Sequence, residues 1–242
     1  MPYNACMSSA ITPFSLSFDP SLSEARPKGG LRTALVWATG IPSCPKTEAA
    51  PAYLKALLER VCSAGESFLA AERKAAVRDL LRHGAYKPAG RGRPSSEYLL
   101  AAALEKNFPL VNGPVDANNA VSLEWGYPAS IFDASKTGCE LLVKRGGRGD
   151  RYVFNPAGQE IELEDLLCAW RRGDDGAWEP CGNPVKDAMA TKVFEGCHDV
   201  IAIVYAPTND DTGRLEACSA RFRELLSKEC GAAETGELIA AL

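Results

Sequence analysis

The stretch from Pro109 to Asp133, PLVNGPVDANNAVSLEWGYPASIFD, constrains the fold more than any other part of this chain. It reads as extended segment, turn, helix, turn, extended segment in one run. Asp116 is the predicted N-cap, because its carboxylate can accept from the free amides of a first turn. The helix is expected over Ala117 to Trp125, with Ala117, Ala120, Val121 and Glu124 on one small, close-packed stripe. Gly126 suits the left-handed position after a helix, and Pro128 prevents the helix from resuming. Ile131 and Phe132 then begin an extended segment. Most of these residues need no role beyond a well-punctuated helix. Asn118 and Asn119 differ: two adjacent amides just inside a helix are poor helix formers, which marks them for another task.

Composition bounds the rest. A chain of 242 residues with 46% hydrophobic residues can bury a sizeable core. The net charge of −4 gives no bulk attraction to nucleic acid. Nine cysteines stand at scattered positions with no Cys-x-x-Cys, so neither a disulfide framework nor a zinc site is expected. A reducing cytoplasm is the simplest setting for such thiols. No apolar run approaches the roughly 18 residues a bilayer span needs. The first residues lack the layout of a signal peptide.

Along the chain, residues 1–29 read as a loosely structured arm, although Phe14 to Phe18 alternates in a way that suits an edge strand. Residues 30–242 are expected to form one domain. Leu31 to Ile41 is a predicted strand. Ala52 to Ala64 and Glu66 to Leu81 have helical periodicity, and a serine at 95 or 96 caps a third helix whose apolar face holds Tyr98, Leu99, Leu100 and Leu104. Short strands are predicted over Glu140 to Arg145, Arg151 to Phe154 and Glu160 to Leu163, separated by glycine-bearing turns. Val200 to Ala206 has the continuous apolar character of a central strand. An amphipathic helix carrying Leu215, Cys218, Phe222, Leu225 and Leu226 ends before Gly231. The order implies an α+β class with a mostly antiparallel sheet and flanking helices, rather than a βαβ repeat.

The 109–133 run also resembles a family signature. Pro109, Asn112, Val115, Asp116, Asn119, Val121, Leu123, Glu124, Gly126, Pro128, Phe132 and Asp133 fit the pattern of the editing (B3/B4) module of the bacterial phenylalanyl-tRNA synthetase β subunit. The resemblance covers residues 94–207. It implies a single B3/B4-like domain, with the N-terminal helices as an extension, free-standing because no other synthetase part is recognisable. That module hydrolyses mischarged tyrosyl-tRNA. By resemblance, Asn119 is the pocket asparagine that holds the substrate's terminal ribose or amino group, and Asn118 stands where the family has a threonine. Gly146 and Gly147 match a glycine turn after a strand of basic and apolar residues, which makes them substrate-binding candidates. Ser130 stands where the family has its pocket histidine; it can orient a water but cannot buffer a proton near neutral pH. Asn119 and Ser130 are therefore the catalytic candidates. The family's tyrosine-reading glutamate has no counterpart in Val200 to Tyr205, so a different amino acid is the expected substrate.

Ester hydrolysis of this kind needs a placed water and fixed oxyanion donors more than a catalytic triad, which suits a chain with two histidines. Two basic clusters flank the asparagines: Arg73, Lys74, Arg78, Arg82, Lys87, Arg91 and Arg93 in the first, and Lys144, Arg145, Arg148 and Arg151, joined by Arg171 and Arg172, in the second; Arg91, Arg93, Lys144, Arg145, Arg148, Arg171 and Arg172 are the RNA-contact candidates. Each reads alone as a solvated face; together they suit phosphate contacts with RNA. Gly90 to Pro94 matches an AT-hook core, yet it directly precedes a helix cap, and no DNA partner is expected. Arg148-Gly149-Asp150 is too short to inform. Cys197-His198-Asp199 is no triad, because such constellations assemble in space. The expected partner is a tRNA or aminoacyl-tRNA 3′ end, or a free amino acid, with no cofactor, no metal and no membrane. Three functions follow: a trans-editing hydrolase of mischarged aminoacyl-tRNA, a non-catalytic tRNA- or amino-acid-binding module, and a small-molecule enzyme reusing the pocket.

Overall fold

The computed structural model describes residues 13–210 and 212–242. Ten strands occur among them: β1 (Ser15–Phe18), β2 (Arg32–Thr39), β3 (Ala129–Asp133), β4 (Glu140–Arg145), β5 (Arg151–Val153), β6 (Glu160–Glu162), β7 (Leu167–Arg172), β8 (Trp178–Gly182), β9 (Val200–Ala206) and β10 (Glu234–Ala241). The α-helices are α1 (Ser21–Glu24), α2 (Ala52–Ala64), α3 (Ala71–Leu81), α4 (Ser95–Leu104), α5 (Gly113–Trp125), α6 (Ala134–Thr137) and α7 (Thr212–Lys228). This is the α+β class expected from the sequence, with mostly antiparallel pairing.

The strands form two four-stranded sheets rather than one, in the orders β1-β4-β7-β8 and β10-β2-β9-β3, beside a β5-β6 hairpin. Every pair is antiparallel except β1 with β4. Strand parity explains how the sheets share one core. Leu141 and Val143 of β4, with Leu167 and Ala169 of β7, join the main core that contains β2 and β9. The alternate residues Leu142, Cys168 and Trp170 face a smaller cluster with Tyr152, Leu163 and Leu166. All seven residues of β9 are buried, as a central strand covered on both faces requires.

One local reading changes. The amphipathic stretch after residue 65 is interrupted: a 3-10 turn spans Gly65–Phe68, and Leu69 then extends before α3 begins. The edge strand expected within Phe14 to Phe18 is present, since Ser15–Phe18 pairs with β4 at a sheet edge. Arg171 and Arg172, expected in a basic cluster, lie on β7, which pairs with β8 as a hairpin.

The helix α5 starts earlier than its sequence suggests. Its N-cap is Asn112, whose Oδ1 accepts from the Val115 amide at 3.2 Å, and Gly113 and Pro114 open the first turn, where proline loses nothing. Asp116 lies inside the helix instead, buried, with its carboxylate accepting from the Val111 amide at 2.8 Å. Gly126 closes the helix in the left-handed conformation, φ 75°. Glu124 is only half-buried and pairs with Arg60 and Arg221, so the apolar stripe ends one turn sooner than predicted. No helix among the described residues is long and apolar enough to cross a membrane.

Candidate functional site

A cleft of about 230 Å³ opens between α4, the first half of α5, the edge of β3 and the loop segments 183–187 and 192–194. Its size suits a ligand smaller than the drug-sized molecules that fill typical pockets. Helix spacing selects which α5 residues reach it. Val115, Asn118 and Asn119 lie three and four positions apart on one face, beside the Ala117–Ala120–Val121 stripe that enters the core. Asn112 ties this helix to the far wall: its Nδ2 donates to the Val193 carbonyl at 3.0 Å.

The asparagines differ in their bonding. Asn118 is buried, and its Nδ2 donates to the Ala129 carbonyl at 3.4 Å. Its Oδ1 is enclosed and has no hydrogen-bond partner. Asn119 is half-buried and lines the cleft.

The opposite wall supplies a carboxylate. β3 is the last strand of its sheet, so one edge carries unpaired backbone groups. Segment 183–187 covers that edge. Asp187 Oδ2 accepts from the Ile131 amide at 3.2 Å, while Asn183 accepts Ser130 Oγ on its carbonyl at 3.2 Å. Asp187 as a residue is half-buried, and its carboxyl packs against Gly182 within reach of Ser130 and the Asn183 backbone. Burial pushes its carboxyl up to about 7, against the opposing pull of Ser130, the Ile131 amide and the Lys192 ammonium. A carboxyl poised there is both acid and base at neutral pH.

Two lysines complete the polar set. Lys192 donates from Nζ to the Phe154 carbonyl at 2.6 Å, and burial lowers its pKa. Lys186 stacks its ammonium 3.8 Å from the Phe154 ring centroid, and burial with nearby Arg91 lowers it too. The remaining walls are mostly apolar, including Leu99, Pro109, Ile131 and Val185. The cleft therefore presents acceptors at one side, ammonium groups at another, and an apolar body between.

The residues singled out by sequence divide sharply. Asn118 and Asn119 line this cleft. Ser130 does not. Ala129 and Ile131 face the cleft, and the pleat turns Ser130 to the opposite face, where it is fully buried near Tyr205. Gly146 and Gly147 do not line it either. A Cβ on Gly146 would meet the Leu163 carbonyl oxygen at 2.2 Å, so that glycine serves a close backbone approach, and the Gly147 amide donates to Asp150 at 2.7 Å.

Arg93 lies over the ring of Tyr98, which lines the cleft, and Arg91 is close enough to Lys186 to lower its pKa. Lys144, Arg145, Arg148, Arg171 and Arg172 belong to β4, β7 and the turn after β4, and none lines the cleft. Arg171 and Arg172 are committed to Glu179 at 2.6 Å and Glu140 at 3.4 Å. Arg145 is half-buried, with Nη1 donating to the Asp165 carbonyl at 3.3 Å. Neither histidine lines the cleft; His198 Nδ1 meets the Ile41 carbonyl at 2.7 Å, and His83 approaches Asp165 at 4.0 Å.

Asp187 and the lysines are the polar groups sequence reasoning missed. No periodicity marks them, because they lie in an irregular segment whose only element is a 3-10 turn over Met189–Thr191. Among the described residues, no cluster of three or more His, Cys, Asp or Glu is placed to hold a metal ion.

No family model matches the sequence, and no curated protein does. Among solved structures, the chain is similar to an N-terminal fragment of the phenylalanyl-tRNA synthetase β-subunit from Pyrococcus horikoshii, with a TM-score of 0.48 and 10% identity over 95% of this chain and 55% of that one. The chain thus spans about half the length of that structure. At this identity the likeness assigns no role to any residue of the cleft.

Proposed function

We propose that the cleft takes the aminoacyl group at the 3′ end of a charged tRNA and hydrolyses its ester. The observation that carries this reading is an enclosed acceptor without a hydrogen-bond partner, Asn118 Oδ1, in a small and otherwise mostly apolar cleft that also holds the Asp187 carboxyl. A buried acceptor without a donor is costly. The α-ammonium of an amino acid supplies donors for both, and the apolar walls receive its side chain. The match of Pro109–Asp133 to the synthetase editing signature adds the RNA end and the ester, with Asn119 as the residue that corresponds to the pocket asparagine. A cytoplasmic setting, where charged tRNA is present, goes with this reading.

Hydrolysis asks for a base and an oxyanion donor. In the ionised form Asp187 takes a proton from water as the oxygen adds to the ester carbonyl, and the Asn119 amide or the Lys192 ammonium faces the charge that develops there. The carbon–ribose oxygen bond then breaks, and the ribose oxygen recovers the proton. The products are a free amino acid and an uncharged RNA end.

Non-catalytic capture is the second reading. It is favoured by Ser130, which occupies the family's histidine position and faces away from the cleft, so no imidazole reaches the ligand. One experiment separates the two: deacylation of a panel of mischarged tRNAs by wild type, Asn119→Ala and Asp187→Asn. Hydrolysis of one species, lost in both variants, supports the hydrolase and names the amino acid. Saturable binding without hydrolysis supports capture. Absence of both overturns the aminoacyl reading.

A further inference from the structure

Cys197-His198-Asp199 is no catalytic triad, yet all three residues meet one other segment, Gly40 to Cys44. The Gly40 amide donates to Asp199 Oδ1 at 2.9 Å, and the Ile41 amide donates to the His198 carbonyl at 2.8 Å. His198 Nδ1 returns a contact to the Ile41 carbonyl at 2.7 Å. Cys44 closes the row. Its thiol donates to the Cys197 carbonyl at 3.1 Å, and the two thiols lie within hydrogen-bonding reach of each other. Cross-pairing over so many groups fixes the register of two segments that are 153 positions apart at the cysteines.

The two sulfurs differ in acidity. The Cys197 thiol beside it holds Cys44 below the ordinary thiol value, against the opposing effect of burial, while the same contact and burial push Cys197 up. Cys44 is therefore the sulfur that ionises first. By contrast, Cys168, Cys181 and Cys218 are core thiols raised by burial. The pair is buried, but Ser43 and Pro45, on either side of Cys44, line a cavity of about 510 Å³ that also reaches Cys230 and the start of α5. The pair also stands behind the cleft. The Cys197 amide donates to the Phe194 carbonyl at 3.1 Å, and Val193 and Phe194 line the cleft. On the other side, the Thr47 amide donates to the carbonyl of Val111, a further cleft residue, at 3.0 Å.

We propose that Cys44 and Cys197 are a peroxide-responsive dithiol, whose disulfide clamps the 193–197 wall of the cleft to the segment before α2. The Cys44 thiolate attacks one oxygen of the peroxide, and the O–O bond breaks. The departing hydroxide takes up the proton that the thiol released and leaves as water, with a sulfenic acid on Cys44. The Cys197 sulfur then attacks the Cys44 sulfur. The S–O bond breaks, the hydroxyl takes the Cys197 proton, and a second water leaves. Two thiols lose two electrons in all, and one peroxide gains them. A small thiol such as glutathione reverses the bond by exchange, two molecules being oxidised to their own disulfide. The site does not depend on which ligand the cleft takes, so it is independent of the aminoacyl reading.

The test is treatment of the folded full-length chain with hydrogen peroxide, alkylation of the remaining thiols under denaturing conditions, protease digestion and mass spectrometry. Wild type is expected to yield a crosslinked pair of peptides carrying Cys44 and Cys197, and dithiothreitol to undo it. Oxidised wild type is expected to unfold at higher denaturant than the reduced form, because a bridge across 153 positions restricts the unfolded chain. That difference is expected to vanish in Cys44→Ser and in Cys197→Ser. With dimedone present, Cys197→Ser is expected to trap a sulfenic acid on Cys44, and Cys44→Ser to trap none on Cys197. The wild-type crosslink map needs no variant, so it decides the matter even where a serine variant fails to fold. Three results overturn the proposal: both thiols still open to alkylation after peroxide, a crosslink that the denatured chain forms equally well, or Cys44 joined to Cys230 instead.

Discussion

An acid held near neutrality by its surroundings responds to pH in two separable ways, and Asp187 is such an acid. Its carboxyl sits at about 7 against an ordinary value of 3.8. The folded state therefore holds a proton that the unfolded chain releases between those values. Stability should fall as pH rises from about 4 to about 7, and stay level above, with a total change of at most about 4 kcal/mol. Asp187→Asn should flatten that dependence and unfold at higher denaturant than wild type at pH 8, as chemical denaturation at a series of pH values can measure. Catalysis should run the other way. If Asp187 is the base, deacylation rises with pH through about 7 in wild type, and the limb disappears in Asp187→Asn. The two asparagines at 118 and 119 were legible because their residue type sits badly in a helix. Ser130 was misplaced because alignment to a signature ignores which side of a strand a residue faces. Asp187 was invisible because nothing local distinguishes it from any loop aspartate.

At the scale of elements, α5 shows how punctuation can mislead by one turn. Asp116 has the chemistry of a cap, but Asn112 precedes a Gly-Pro start and takes the role. Its two ends do different work, since Oδ1 caps the helix and Nδ2 holds the Val193 carbonyl. Asn112→Ala should cost about 1 kcal/mol of stability and loosen the cleft. Asn112→Asp keeps the cap but sets an acceptor against a carbonyl. It should therefore stay nearer wild type in helix stability while weakening ligand binding, as denaturation and binding titration can show together. The strands at β7, β8 and β10 were not legible. β7 mixes apolar residues with arginines, β8 contains a proline, and β10 is a half-exposed edge whose sequence, ETGELIAA, carries a glycine and little alternation. By contrast β9 and α2 are strongly patterned and were read with their bounds intact.

On the whole-molecule scale, an acidic chain that takes an RNA end, as proposed, should do so without long-range steering. The salt dependence of single-stranded RNA binding should then be shallow. Contacts from the cations beside the cleft, Arg91, Arg93 and Lys186, alone predict a slope of log affinity against log salt of about −2. A much steeper slope would bring in the second basic cluster on β4 and β7. The N-terminal segment matters to the architecture as well. β1 caps the edge of the first sheet, and Phe14 is buried with its ring centroid 5.8 Å from that of Trp37. Removing residues 1–20 should expose the β4 edge and promote association, visible as a concentration-dependent rise in mass by light scattering. Two sheets sharing one core could not be foreseen from a list of strands, because the pairing of β1 with β4 and of β2 with β10 joins residues more than a hundred positions apart.

The edge of β3 ends in an arrangement with a spectroscopic consequence. The Ile131 amide is held there by a side-chain carboxylate and not by another strand. Its proton resonance should therefore shift with the charge on Asp187 and again when an ammonium group approaches that carboxylate. One backbone cross-peak would then register protonation and occupancy of the cleft without a label on either the ligand or the site.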